Sequence, residues 1–161
     1  MKDFNYEGLI AKPKSNLEIE HKFLIKDLAA VKKLVKDTQY SRKIQQGYLS
    51  RKPVVRVRIM GPRAFITIKG KGARVRQEFE YQIPLKDARQ LMKLCGDRTL
   101  SKIRYYYGPW EIDEFKGRHK GLWLAEIELK SVKAKLPALP DWLGKEVTEL
   151  SKYTNASLAG N

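Results

Sequence analysis

The sequence predicts an α+β fold in which eight antiparallel strands close into a β-barrel with a charged interior, and helices pack outside it. Three observations predict it: period-two alternation from Asn16 onward, turn-forming residues between the alternating runs, and charges paired at i and i+2 in strand after strand. Alternating runs fall at 16–25, 42–50, 53–60, 64–70, 74–82, 99–107, 110–116 and 121–131. Gly61-Pro62, Gly70-Lys71-Gly72, Gly108-Pro109 and the stretch from Gly117 to Gly121 punctuate them. Connections this short favour antiparallel hairpins.

Each run carries its charges on one face. In the first, Glu18, Glu20 and Lys22 share a face, and Ile19, His21 and Phe23 share the other. Arg56 and Arg58 alternate with Val55, Val57 and Ile59, and Thr67 and Lys69 stand opposite Ile66 and Ile68. Arg76, Glu78 and Glu80 oppose Val75, Phe79 and Tyr81, while Lys102 and Arg104 oppose Ile103 and Tyr105. Asp113 opposes Ile112, and Glu126 and Glu128 oppose Ala125, Ile127 and Leu129.

Three helical segments interrupt the strands. Asp27 to Lys36 gathers Leu28, Val31 and Val35 on one face, and Pro84 to Cys95 opens with proline near its first turn. From Pro140, the spacing of Trp142, Leu143 and Val147 predicts short helical turns. If the charged faces look outward, the apolar faces fill the barrel and the helices have little to cover. If they look inward, the apolar faces lie outside and the amphipathic helices coat them. A charged lumen must be wet and occupied by ions, because desolvation costs several kcal/mol per ion. Carboxylates on several strands suit hard cations such as Mg²⁺ or Mn²⁺, and the lysines and arginines suit phosphoryl oxygens. A sheet with salt-bridge ladders on a solvated face would show the same alternation.

Composition bounds the rest. The 161 residues fit one domain over 16–161, preceded by a flexible arm over 1–15. With 33 Lys+Arg against 18 Asp+Glu the net charge is +15, which calls for an anionic partner. The single Cys95 excludes an intramolecular disulfide and a cysteine-rich zinc site, and fits a reducing setting. No apolar run suits a signal peptide or a membrane span, so a cytoplasmic protein without membrane contact is expected.

The run Glu18-Ile19-Glu20-His21-Lys22-Phe23-Leu24-Ile25 resembles the ExExK signature of the CYTH domain, or triphosphate tunnel metalloenzyme, family. Further markers follow in the family's order: Arg56-x-Arg58, Lys69, Arg76-x-Glu78-x-Glu80, Lys102-x-Arg104-Tyr105, Trp110-Glu111-Ile112-Asp113 and Glu126-x-Glu128. The ending from Val147 to Ala159 is similar to the family's C-terminal segment, with Leu150 and Lys152 where relatives often carry Asp and Arg. The resemblance spans residues 16 to about 159.

The resemblance implies an eight-stranded tunnel, divalent-metal dependence (Mg²⁺ or Mn²⁺) and a triphosphate-bearing small molecule as substrate. It places metal on Glu18, Glu20, Asp113, Glu126 and Glu128, and phosphate on Lys22, Arg56, Arg58, Lys69, Arg76, Lys102 and Arg104. Lys22, Glu78, Glu80 and Lys152 are the expected catalytic residues, with Glu78 or Glu80 toward a second metal and Lys152 or Lys145 closing one mouth. Inorganic triphosphate hydrolysis is the leading expectation; the alternatives are a nucleoside or thiamine triphosphatase, an adenylyl cyclase of the CYTH type, or a non-catalytic polyphosphate or RNA binder. A cyclase needs a nucleoside pocket, and none is identifiable. RNA binding needs exposed aromatics, but alternation sends Tyr105 and Tyr107 to the apolar side, so nucleic acid is not the expected partner. A monomer or homodimer is expected. His21 and His119 read as structural, and Trp110, Trp123 and Trp142 as packing anchors.

Overall fold

A computed structural model describes residues 16–36 and 38–160; the arm expected over 1–15 lies outside the described residues. Nine strands form the fold: β1 (Leu17–Ile25), β2 (Ser41–Arg51), β3 (Val54–Met60), β4 (Arg63–Lys69), β5 (Val75–Ile83), β6 (Thr99–Tyr107), β7 (Trp110–Phe115), β8 (Trp123–Glu128) and β9 (Leu143–Glu146). Hydrogen bonding runs β5-β4-β3-β2-β6-β7-β8-β1, and β1 returns to β5, so eight antiparallel strands close a barrel. All eight expected strands are present, with ends displaced by at most a few residues. Gly61 and Gly108 carry the turns after β3 and β6 at φ 57° and 55°, a region that side chains with a Cβ adopt at a cost.

The ninth strand was not expected. One edge of β1 pairs with β8 from Glu20 to Leu24. The other edge is shared: Leu17 to Ile19 pair with β5, while Phe23 and Ile25 pair with β9. Beyond the three residue pairs with β5, the free backbone of β1 would be an open edge, and residues 143–146 fill it. That vacancy is created by the barrel and has no local trace around Pro140, so a strand forms where helical turns were expected.

The helices coat the outer face. In α1 (Leu28–Lys36), the Asp27 carboxylate accepts the Ala30 N–H at 2.9 Å and caps the first turn. Val31 and Val35 then pack on Phe23, Trp110, Ile112, Trp123 and Ile127. Burying each valine contributes about 1.5–3 kcal/mol. Trp110 meets Phe23 and Trp142 edge-on, both at 5.8 Å between centroids, and Trp123 stacks on Tyr105 at 5.9 Å. The three tryptophans are thus packing anchors, as their sequence setting suggested.

The second helix, α2 (Leu85–Leu94), lays Ala88, Leu91 and Met92 over Val57 and Ala64. Its close approach depends on Gly47 of β2. A Cβ there would lie 2.7 Å from Cys95 Sγ, 2.8 Å from Cys95 Cβ and 2.9 Å from Met92 Sδ. Cys95 is accordingly buried at the helix end. Single turns at 117–119 and 151–153 and the short α3 (Asn155–Leu158) complete the chain. No described helix is long and apolar enough to cross a membrane.

The lumen is not charged from end to end. Ile44, Met60 and Tyr106 form an apolar cluster at one end. Tyr48, Leu100, Phe115 and Leu124 form another at the opposite end, joined by Leu158 and Ala159. The charged side chains lie between these two layers, which set the length of the space they enclose.

Candidate active site in the barrel lumen

The polar zone of the barrel surrounds a cavity of about 280 Å³. Lys22, Arg56, Arg58, Lys69, Arg76, Lys102 and Arg104 all reach its wall, together with Glu18, Glu20, Glu78 and Glu126. These eleven side chains come from six strands, and the inward half of each alternation puts them there. Residues 148–156 contribute Thr148, Glu149, Tyr153 and Asn155 to the same wall. The hairpin between β4 and β5 contributes Gly72 and Ala73.

Carboxylates hold the cations in fixed positions. Glu18 takes Lys69 Nζ at 2.8 Å and Arg76 Nε at 2.6 Å. Lys69 also meets Glu78 at 2.7 Å. Glu80 Oε2 accepts from Arg58 at 2.9 Å, Arg56 at 3.3 Å and the Thr67 hydroxyl at 2.8 Å. Even so, the buried Nε–H donors of Arg56 and Arg58 have no partner among the described residues. Burial and the neighbouring Arg56 charge pull the Arg58 guanidinium below its ordinary value. The wall around these two arginines is therefore short of acceptors.

On the facing strands, Lys22 Nζ lies 2.9 Å from Glu126 and 3.3 Å from Glu20. Burial pushes the Glu20 carboxyl up, and the Glu126 charge pushes it further. Burial pushes Glu126 up as well, but Lys22, Arg104 and Lys102 outweigh it and hold the carboxyl well below the usual range. Glu128 stands opposite Glu20 across the β1–β8 pair, exposed at the strand end and off the cavity wall. Asp113 is fully buried behind the wall, bonded to both Lys102 and Arg104. Glu80 likewise stands behind Arg56 and Arg58 and Lys152 is exposed, its Nζ 5.0 Å from the Tyr153 ring centre. Lys145 is exposed on β9.

On the barrel strands, three polar cavity residues were given no role from the sequence. Glu111 bonds Arg104 and lines the cavity beside Glu126, its cross-strand partner. Its signal was available, since it stands two residues before Asp113 on the same face. Gln46 and Tyr48 line the cavity from β2. Being neutral, they left no mark in a search for paired charges.

The charge balance of the lumen differs from that of the chain. Its barrel strands set seven cations (Lys22, Arg56, Arg58, Lys69, Arg76, Lys102, Arg104) against seven acids (Glu18, Glu20, Glu78, Glu80, Glu111, Asp113, Glu126), and Glu149 joins the wall from beyond β9. The surplus of +15 therefore lies outside the lumen. Among the described residues, no three His, Cys, Asp or Glu side chains already converge as a metal-binding group. The donor chemistry still fits a hard cation. Glu20 and Glu126 are oxygen donors in a like-charge contact that a divalent ion would relieve, and Glu128 is within reach of the same strand pair.

His21 points away from this chemistry and bonds Glu146 at 2.8 Å. His119 sits in the 117–119 turn against the Leu158 carbonyl.

The CYTH domain family model matches residues 16–158. An inorganic triphosphatase of Acetivibrio thermocellus is 38% identical over 152 residues, covering 89% of this chain and 94% of that protein. An inorganic triphosphatase of Nitrosomonas europaea is 32% identical over 151 residues, covering 88% and 96%. A crystal structure of an inorganic triphosphatase superposes with a TM-score of 0.60 at 32% identity, covering 88% of this chain and 93% of that one.

Proposed function

Because this chain belongs to the CYTH domain family, we propose that it hydrolyses inorganic triphosphate to diphosphate and phosphate in the barrel lumen, assisted by Mg²⁺ or Mn²⁺. The observation that carries this reading is the pair of buried Nε–H donors of Arg56 and Arg58, without a partner among the described residues, on the wall of a polar cavity. Buried donors of this kind are normally satisfied, and phosphoryl oxygens are the acceptors their planar guanidinium groups match.

Arg56, Arg58, Lys69, Lys102 and Arg104 hold the phosphoryl chain, with Arg76 and Lys22 completing its surroundings. Phosphoryl transfer asks mainly for alignment and charge stabilisation, and a fixed set of cations supplies both. Glu20, Glu126 and Glu128, with Glu18 beside them, would hold the divalent ion. When bound, that ion supplies charge neutralisation and Lewis acidity at phosphate oxygens. Asp113 supports from behind, keeping Lys102 and Arg104 oriented, and Glu80 does the same for Arg56 and Arg58. Glu78 holds Lys69, and the segment around Lys152 closes the cavity on one side. A buried, free Cys95 supports placing the enzyme in the reducing cytoplasm.

Phosphate release from tripolyphosphate, ATP and thiamine triphosphate, each with Mg²⁺, Mn²⁺ or EDTA, tests the reading. Turnover of tripolyphosphate above the other two, abolished by EDTA, is expected. ATP turnover equal to or above that of tripolyphosphate would overturn the choice of substrate.

A further inference from the structure

The geometry points to Gln46 as a substrate-contacting residue, its carboxamide N–H donating to a phosphoryl oxygen while its carbonyl oxygen accepts the Tyr48 hydroxyl proton. This deepens the triphosphatase reading and rests on it. Gln46 is 1% exposed and lies on the cavity wall. It occupies the lumen face of β2, opposite Leu100 of β6 on one side and a basic residue of β3 on the other. Its cross-strand partner on β3 is Arg58, and that of Tyr48 is Arg56. It therefore adjoins the two arginines with unpartnered Nε–H donors.

The hydrogen bonds around this amide are incomplete as they stand. Gln46 Nε2 lies 2.8 Å from the Tyr48 hydroxyl, and Gln46 Oε1 is buried with no partner. Burial pushes the Tyr48 phenol up, so it is a protonated donor. The described residues offer its proton no other acceptor. Two groups thus remain unsatisfied at one contact, and leaving buried polar groups unpaired is destabilising.

Turning the amide by half a rotation leaves its shape unchanged and exchanges donor for acceptor. Oε1 then accepts the Tyr48 proton. The NH₂ group takes the place of the orphaned oxygen and needs an acceptor there. A phosphoryl oxygen provides one. A carbonyl oxygen left in that place would instead repel the anion. A neutral donor also suits the position, since Arg58 already feels the like charges of Arg56 and Arg104. Another cation would add to that repulsion in the empty cavity, and an amide does not.

The test is calorimetric titration of sodium tripolyphosphate in EDTA into the wild-type chain, Gln46→Met and Gln46→Glu, with melting temperatures recorded alongside. Gln46→Met keeps the unbranched shape without the donor, and affinity is expected to fall about tenfold or more, as for a hydrogen bond to a charged group. Gln46→Glu sets a carboxylate against the phosphate, and its loss is expected to be the greater. It is near-isosteric and serves alone if Gln46→Met does not fold. Unchanged affinity in Gln46→Met overturns the proposal. So does Gln46→Glu binding tripolyphosphate as tightly as wild type. If the wild-type chain fails to bind tripolyphosphate both in EDTA and with Mg²⁺, the triphosphatase reading falls, and this proposal with it.

Discussion

Arg104 and Asp113 meet across the β6–β7 pair at two points, Nε to Oδ1 and Nη2 to Oδ2, both at 2.7 Å. Asp113 also takes Lys102 and has no exposed surface. It is a counter-charge for two buried cations, so removing it takes from Lys102 its carboxylate partner and leaves Arg104 with Glu111 and Glu126 alone. Asp113→Ala is expected to cost about 3–5 kcal/mol, read as a lower urea midpoint. Asp113→Asn, which keeps the shape, should lose less.

Lys102 sets a pH dependence. Burial pushes its ammonium down to about 8, Asp113 offsets part of this, and Arg104 adds to it. Its folded value lies below the ordinary 10.5, so between about pH 8 and 10.5 the unfolded chain binds the extra proton. For this group alone, stability therefore rises with pH across that window, and the cost of the buried charge is full below it. Ligand binding runs the other way, because a phosphate anion favours the protonated lysine. Tripolyphosphate affinity should fall as pH rises above 8, and binding near pH 8 should take up a proton. Calorimetry in two buffers of different ionisation enthalpy measures that uptake, and Lys102→Met should abolish it.

Glu20 and Glu126 crowd two carboxylates against Lys22. If a divalent cation belongs between them, Glu126→Gln and Glu20→Gln should each reduce metal-stimulated phosphate release by more than about 100-fold, beyond the loss typical of residues that merely support a ligand. Raising the Mn²⁺ concentration should recover part of the activity. Metal-stimulated turnover at wild-type level in Glu126→Gln would remove this site.

Gly47 is the point where α2 touches the barrel. The nearest atoms to an added Cβ include Cys95 Cβ at 2.8 Å, which a rotamer change cannot move away. Gly47→Ala is expected to destabilise the chain by about 1–3 kcal/mol, as overpacking does. Thermal melting checks it. An unchanged melting temperature would mean that the helix stands further off.

Much of this architecture was legible because β-structure writes its faces into alternate residues. Glu18, Glu20 and Lys22 announce one inward face, and Arg56 and Arg58 another. Gln46 and Tyr48 share the inward face of β2 as neutral polar groups, and so carry no charge that marks that face in the sequence. The pattern also treats every residue of a run alike. Alternation places Glu128 with Glu126, yet Glu128 is the last residue of β8 and is exposed there. Strand β9 was illegible for a different reason. Its partner is the uncovered backbone of β1, which exists only once the barrel has closed. The apolar layers at the two ends of the lumen were missed in the same way, since Met60 and Tyr106 follow the charged residues on the same faces.

The balanced lumen has a consequence for how a ligand arrives. Seven cations and seven acids inside cancel at a distance, so a diffusing anion senses chiefly the positive exterior, through an ion atmosphere about 8–10 Å thick at physiological salt. Capture and grip are thereby divided between two sets of residues. The outer lysines govern how often a polyanion meets the protein, a rate that salt depresses. The enclosed arginines, sheltered from that screening, govern how long it stays.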